Sequence, residues 1–96
     1  MLSANDIENK LTALMPRLSA MYNIDTIGYF GSYANGSQTE TSDIDILVSF
    51  KKPIGWEFFD LQELLEKELH IKVDLVTQNA LKSQLKDQIL SEVKYI

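Results

Sequence analysis

The sequence predicts a small α/β protein of the α+β kind, a mixed β-sheet of about three or four strands flanked by helices. Three observations predict it. Apolar residues recur at three- and four-residue intervals in three long segments, short runs rich in β-branched and aromatic residues lie between them, and Gly, Pro, Ser and Asn mark the changes of period. The resulting order is helix, strand, strand, helix, strand, helix, with no internal repeat. At 96 residues a single domain spanning 1–96 is expected.

The first helix is expected from Ser3 to about Met21, where Ile7, Leu11, Leu14, Met15 and Leu18 share one face. Ser3 or Asn5 can cap its start. Pro16 falls inside this pattern and predicts a kink or an early break, because it lacks an amide donor and crowds the preceding turn. Ile24 to Phe30 reads as a strand ending at Gly31. Gly31 to Ser42, GSYANGSQTETS, is dense in small polar residues and reads as a loop with one helical turn after Ser32. Asp43 to Phe50, DIDILVSF, is the second strand, closed by Lys51, Lys52 and Pro53. A helix from about Trp56 to Leu69 aligns Phe58, Leu61, Leu64, Leu65 and Leu69. Ile71 to Val76 is too short and too β-branched for another helix and is the third strand. From Ala80 to Val93, Leu81, Leu85, Ile89 and Val93 repeat every four residues, giving a closing helix that Asn79 can cap.

Composition excludes several function classes. There is no cysteine, so neither a disulfide framework nor a thiolate metal site can form. A net charge of -5 argues against general nucleic-acid binding, which draws on Lys and Arg displacing counterions from phosphates. No apolar run approaches the roughly 20 residues of a spanning helix, and Met1 to Lys10 lacks the basic start and apolar centre of a secretion signal. A cytoplasmic protein without membrane contact is expected. Exposed amphipathic helices leave a homodimer open.

The informative stretch runs from Gly31 to Asp45. Side chains alternate across a strand, so Asp43 and Asp45 project from one face while Ile44, Ile46 and Val48 enter a core from the other. Paired carboxylates suit a hard divalent cation such as Mg²⁺, which completes its shell with substrate phosphates and water. Asp74, between Val73 and Leu75, is costly to bury without a partner. If its strand lies beside Asp43 to Phe50, three acids meet, enough for two metal ions, and Asp74 could orient or accept a hydroxyl proton. Asp74 reads equally well as a surface acid. Gly31 lets the backbone approach closely and frees amide donors for phosphate, with the Ser32 hydroxyl beside them. Ser42 either caps the turn or touches phosphate. Alone, Gly-Ser is an ordinary turn and Asp-x-Asp an ordinary polar strand face. Their combination at this spacing points to a nucleotide and metal site.

Gly31-Ser32, a ten-residue gap and Asp43-Ile44-Asp45 resemble the signature of the DNA polymerase β-like nucleotidyltransferase superfamily, most closely its minimal nucleotidyltransferase branch. The resemblance covers Ile24 to about Val76. It implies a nucleotidyltransferase fold, two Mg²⁺ held by Asp43 and Asp45 with Asp74 as the third acid, and ATP held through Gly31 and Ser32. It further implies transfer of AMP to a hydroxyl, tyrosine above all, on a HEPN-type toxin for which this chain would be the antitoxin. In one respect the chain departs from the family, which often has Gly-Ser-x-Ala-Arg-Gly where this sequence has Asn35 in place of the arginine. Asn35 carries no charge for phosphate. Lys51 and Lys52 could compensate electrostatically, although a lysine pair at a strand end is more often solvated. A chain that silences its partner only by covering it is the alternative. A sugar-phosphate or antibiotic nucleotidyltransferase fits less well, since no second domain encloses a small acceptor. His70 reads as a helix-to-strand boundary residue, Trp56, Phe58 and Phe59 as helix packing, and Tyr33 as a residue bordering the nucleotide.

Overall fold

The computed structural model describes residues 2–96. Helix α1 (Ala4–Tyr22) leads into strand β1 (Ile24–Phe30), and the short helix α2 (Ser32–Asn35) and an irregular loop lead to β2 (Ile44–Phe50). Helix α3 (Glu57–Leu69) returns the chain to β3 (Val73–Thr77). A 3-10 turn (Gln78–Ala80), helix α4 (Ser83–Glu92) and a two-residue strand β4 (Lys94–Tyr95) complete the order. The strands lie in one four-stranded sheet, β3-β2-β1-β4. β2 and β4 run antiparallel to β1, and β3 runs parallel to β2, so the mixed sheet expected from the sequence is present. The crossover that a parallel pair requires is supplied by α3.

One face of the sheet carries the core. Ile27 and Tyr29 of β1, Ile44, Ile46 and Val48 of β2, and Val73 and Leu75 of β3 are buried against Ile7, Leu11 and Leu18 of α1 and Leu61, Leu65 and Leu69 of α3. These are the positions that the two periods, 3.6 and 2, place on facing surfaces. A register shift between Ile24 and Thr26 lets both Ile24 and Ile27 turn inward. The buried Tyr29 donates a hydrogen bond to Glu8 on α1. Burial, with the Glu8 carboxylate second, pushes its phenol up to about 12.

Several boundaries differ from expectation. α1 runs unbroken through Pro16 to Tyr22, with Ser3 as N-cap in a reciprocal capping box with Asp6. Thr12, whose carbonyl loses a donor to Pro16, and Pro16 itself are both exposed, so water can take the missing bond. Asn23 ends α1 in the left-handed conformation, its amide donating to the Ser19 carbonyl. His70 ends α3 the same way, as the boundary reading implied. Asn79 does not cap the last helix, because it lies in the 3-10 turn and Leu81 extends the chain before α4 begins after Lys82. The periodic stripe at the end of the sequence is shorter than expected, since Val93 already leaves the helix and Lys94 and Tyr95 pair with β1. Phe58 packs partly against the core, but Trp56 and Phe59 project into solvent instead of packing.

Among the described residues no helix is long and apolar enough to cross a membrane.

Candidate active site

The site forms where β1 ends and where β2 and β3 begin. Antiparallel pairing sets Phe30 opposite Asp45, and parallel pairing sets Asp45 beside Asp74. Three consecutive strands therefore deliver Gly31, Asp45 and Asp74 to one end of the sheet. On that face Asp45 and Asp74 point away from the core that Ile44, Ile46 and Val73 enter.

Gly31 is required twice over. Its backbone, at φ 74° and ψ -146°, lies where only glycine is unstrained, and a Cβ there would collide with the Asp45 carboxylate. The carbonyl of Gly31 accepts from the amides of Ala34 and Asn35 at 3.0 and 3.1 Å, which folds Ser32–Asn35 into a single helical turn. The first amides of such a turn, on Ser32 and Tyr33, have no acceptor within it. They are donors of the kind that hold phosphate oxygens. Gly36 closes the turn at φ 80°.

Electrostatics single out Asp45. Partial burial pushes its carboxyl up to about 6, and the neighbouring Asp74 and then Asp43 push in the same direction. A carboxyl whose ionisation burial and neighbouring carboxylates make costly is a place where bound positive charge is stabilised. Asp43, just before β2, is exposed, as is Asp74. Among the described residues no three acidic or histidine side chains already stand close enough to hold an ion by themselves. Mg²⁺ does not need such a cage, because one or two carboxylates with substrate phosphates and water satisfy it. The oxygen donors of Asp43, Asp45 and Asp74 thus fit a divalent cation that arrives with its substrate.

Other expected residues take different places. The Ser42 hydroxyl accepts from the Thr39 amide at 2.9 Å, so it caps the turn before β2. Asn35 is occupied locally, its side-chain oxygen accepting from the Ser37 amide at 2.9 Å and from the Ser37 hydroxyl at 2.5 Å. The Tyr33 side chain does not border the site but is buried in the core, where it anchors α2, and its phenol is raised by burial. Lys51 and Lys52 follow the far end of β2, roughly 20 Å along the strand from Asp45 at ~3.3 Å per residue. That is more than two Debye lengths, so they cannot stand in for the missing arginine. Two features escaped the sequence: the Gly31–Asp45 approach, and Gly28, where an added Cβ would lie 2.8 Å from the Lys94 carbonyl oxygen. A glycine inside a β-rich run is the signal that could have marked Gly28.

The sequence matches the family described as nucleotidyltransferase domain over residues 11–96. Protein adenylyltransferase MntA of Thermococcus cleftensis is 42% identical over 97 residues, covering 100% of this chain and 98% of that protein. A solved structure described as a minimal nucleotidyltransferase superposes with a TM-score of 0.83 at 29% identity, covering 97% of this chain and 95% of the other. A toxin-antitoxin crystal structure with AMP-PNP gives 0.69 at 28% identity, over 98% of this chain and 72% of that one. The complex of tri-AMPylated Shewanella oneidensis HEPN toxin with MNT antitoxin gives 0.59 at 26% identity, over 96% and 66%. A family match from the middle of α1 onward, and a relative aligned along the full chain, make this protein a member of the nucleotidyltransferase-domain family, among its minimal, MntA-like protein adenylyltransferases.

Proposed function

We propose that this chain transfers AMP from ATP to a hydroxyl, most naturally a tyrosine, of a HEPN-type toxin and so acts as its antitoxin in the cytoplasm. The observation that carries the reading is the approach of Gly31 to Asp45, which sets phosphate-binding amides against a carboxylate whose ionisation is already strained. The names of the relatives point the same way, since one is a protein adenylyltransferase and others are antitoxins solved with AMP-PNP or with an AMPylated toxin.

In this reading the Ser32 and Tyr33 amides and the Ser32 hydroxyl hold the β- and γ-phosphates. Asp43 and Asp45, with Asp74, would hold Mg²⁺, which when bound neutralises charge on the phosphates and acidifies the attacking hydroxyl. The acceptor oxygen attacks the α-phosphorus, the bond to the β-phosphate oxygen breaks, and pyrophosphate leaves. Asp74 stands at the outer side of the acid pair, on β3, and takes the hydroxyl proton. Burial of Asp45 keeps its carboxylate fixed in register while Asp43 and Asp74 remain accessible.

Incubation with Mg²⁺, α-labelled ATP and lysate of the source cell tests the reading. A labelled protein is expected with the intact chain and none with Asp43→Asn, Asp45→Asn. Equal labelling by that variant would remove the metal assignment. A second reading, silencing by coverage alone, draws on Asn35, which replaces the family's frequent arginine and spends its side chain on Ser37. It expects the double Asn variant to neutralise its partner in cells as well as the parent does.

A further inference from the structure

We infer that Gln62 and Glu66 of α3 are positioning residues for Asp74: together they clamp the residue before it and so hold the third acid in register with Asp45. Strand β3 is an edge of the sheet, with β2 on one side and no strand on the other. The Lys72 carbonyl faces β2, where it accepts from the Ile44 amide at 3.0 Å. In a trans peptide the carbonyl and the following amide point in opposite directions, so the Val73 amide aims off the free edge, and the Val73 carbonyl aims there with it. Val73 is 3% exposed, which leaves water poorly placed to satisfy either group. Side chains from α3 do so instead. The Glu66 carboxylate accepts from the Val73 amide at 3.0 Å, and the Gln62 side-chain amide donates to the Val73 carbonyl at 2.9 Å. Gln62 and Glu66 stand one helical turn apart, half-buried on the flank of the face that buries Leu61, Leu65 and Leu69.

The clamp supplies what apolar packing lacks. Burial of the α3 leucines resists separation of helix and sheet, but it is non-directional and does little against a slide along the strand. Two hydrogen bonds to one residue fix that coordinate. The Val73 carbonyl belongs to the peptide unit that carries the Asp74 amide, so the clamp acts on the backbone immediately before the acid. Pairing sets Ile44 beside Val73 and Asp45 beside Asp74, across a strand β3 of only five residues. A slip of one residue would turn Asp74 toward the core, and a slip of two would carry it roughly 7 Å along β2 at ~3.3 Å per residue.

The two side chains are not interchangeable, because an amide requires an acceptor and a carbonyl a donor. Neither reaches the reacting atoms, since α3 packs on the core face and Asp74 points from the other. Nor does either bond to the Gly31 turn, which is closed by its own backbone.

The effect on transfer rests on the role proposed above for Asp74, whereas its placement can be read without it. Amide exchange at Val73 and the cross-strand nuclear Overhauser contacts between Asp74 and β2 report placement. Transfer of α-label from saturating ATP to the protein labelled in the source-cell lysate reports function. Glu66→Met keeps the side-chain length and removes the acceptor, so exchange at Val73 should quicken roughly tenfold or more and the contacts of Asp74 with Asp45 should weaken. The transfer rate should fall roughly ten- to a hundredfold, with a far smaller change in ATP affinity. Gln62→Glu, which sets a carboxylate against the carbonyl, should do the same, whereas Glu66→Gln keeps an acceptor oxygen and should behave as the parent. Unchanged Asp74 contacts and transfer rates in Glu66→Met and Gln62→Glu overturn the inference, as does an equal loss in Glu66→Gln. A parent chain that transfers nothing while the contacts respond as expected removes the proposed function and leaves the clamp standing.

Discussion

Replacing Asp45 by Asn should make the protein more stable while abolishing transfer. The Asp45 carboxyl is pushed from 3.8 to about 6, first by burial and then by Asp74 and Asp43. Two pH units correspond to about 3 kcal/mol at ~1.4 kcal/mol per unit. Asp45 is only partly buried, and solvent screening reduces this to about 1–2 kcal/mol. The sign follows from linkage. The folded chain binds this proton more tightly than the unfolded chain, so the associated stability is full below pH 3.8 and is lost as pH rises toward 6. The Asn variant has no such loss. Thermal unfolding followed by circular dichroism in EDTA at pH 8 should show it melting roughly 5–10 °C above the parent, a gap that closes as pH falls below about 4. Mg²⁺ should then raise the melting temperature of the parent far more than that of the variant. A variant less stable than the parent at pH 8, or a gap that does not change with pH, would refute the reasoning that the acids repel one another in the folded chain.

Gly31→Ala should destabilise the fold by about 1–3 kcal/mol through backbone strain alone, and should also abolish nucleotide binding by driving the Asp45 carboxylate away, measured by urea unfolding and by calorimetric titration with ATP. Tyr29→Phe should cost about 1–2 kcal/mol by leaving the part-buried Glu8 carboxylate without its donor, and a double change with Glu8→Gln should cost less than the sum of the singles. In alkaline spectrophotometric titration one tyrosine, Tyr29, should ionise only near pH 12, and its stabilising contribution should fade as pH rises from 10 toward that value. Gly28→Val should expel β4 from the sheet edge, read as loss of amide protection at Ile96, whose N–H donates to the Ile27 carbonyl at 2.9 Å.

Much of this arrangement is legible before folding because local period and local chemistry agree. Strand β1 is found at the bounds its β-branched residues suggest, β2 starts one residue late, and the alternation of DIDILVSF sends Ile44, Ile46 and Val48 to the core and Asp45 to the opposite face. What the sequence hides is register. Nothing in the chain states that Asp74 falls directly beside Asp45 rather than two residues along, since that depends on how far α3 carries the chain before β3 begins. The place of Tyr33 is hidden for a related reason: a residue next to Gly31-Ser32 invites a role in binding, but its orientation follows from the helical turn at Ser32, which points its side chain inward. Asn79 and Pro16 show the limits of residue preference. A capping residue caps only if the helix starts there, and a helix breaker breaks only when its lost hydrogen bond cannot go to water.

The parallel pairing of β2 with β3 also sets what the acid pair depends on. β1 and β2 pair antiparallel across the 31–43 connection, whereas Asp74 is set beside Asp45 only by the longer crossover through α3. The acid pair is therefore assembled by the longest-range contact within the catalytic half of the sheet. On the proposed assignment of Asp74, transfer therefore needs β3 seated in the sheet, whereas the Gly31–Asp45 approach needs only β1 and β2. On that assignment, a change that loosens the β2–β3 pairing should cost transfer before it costs the Gly31 turn.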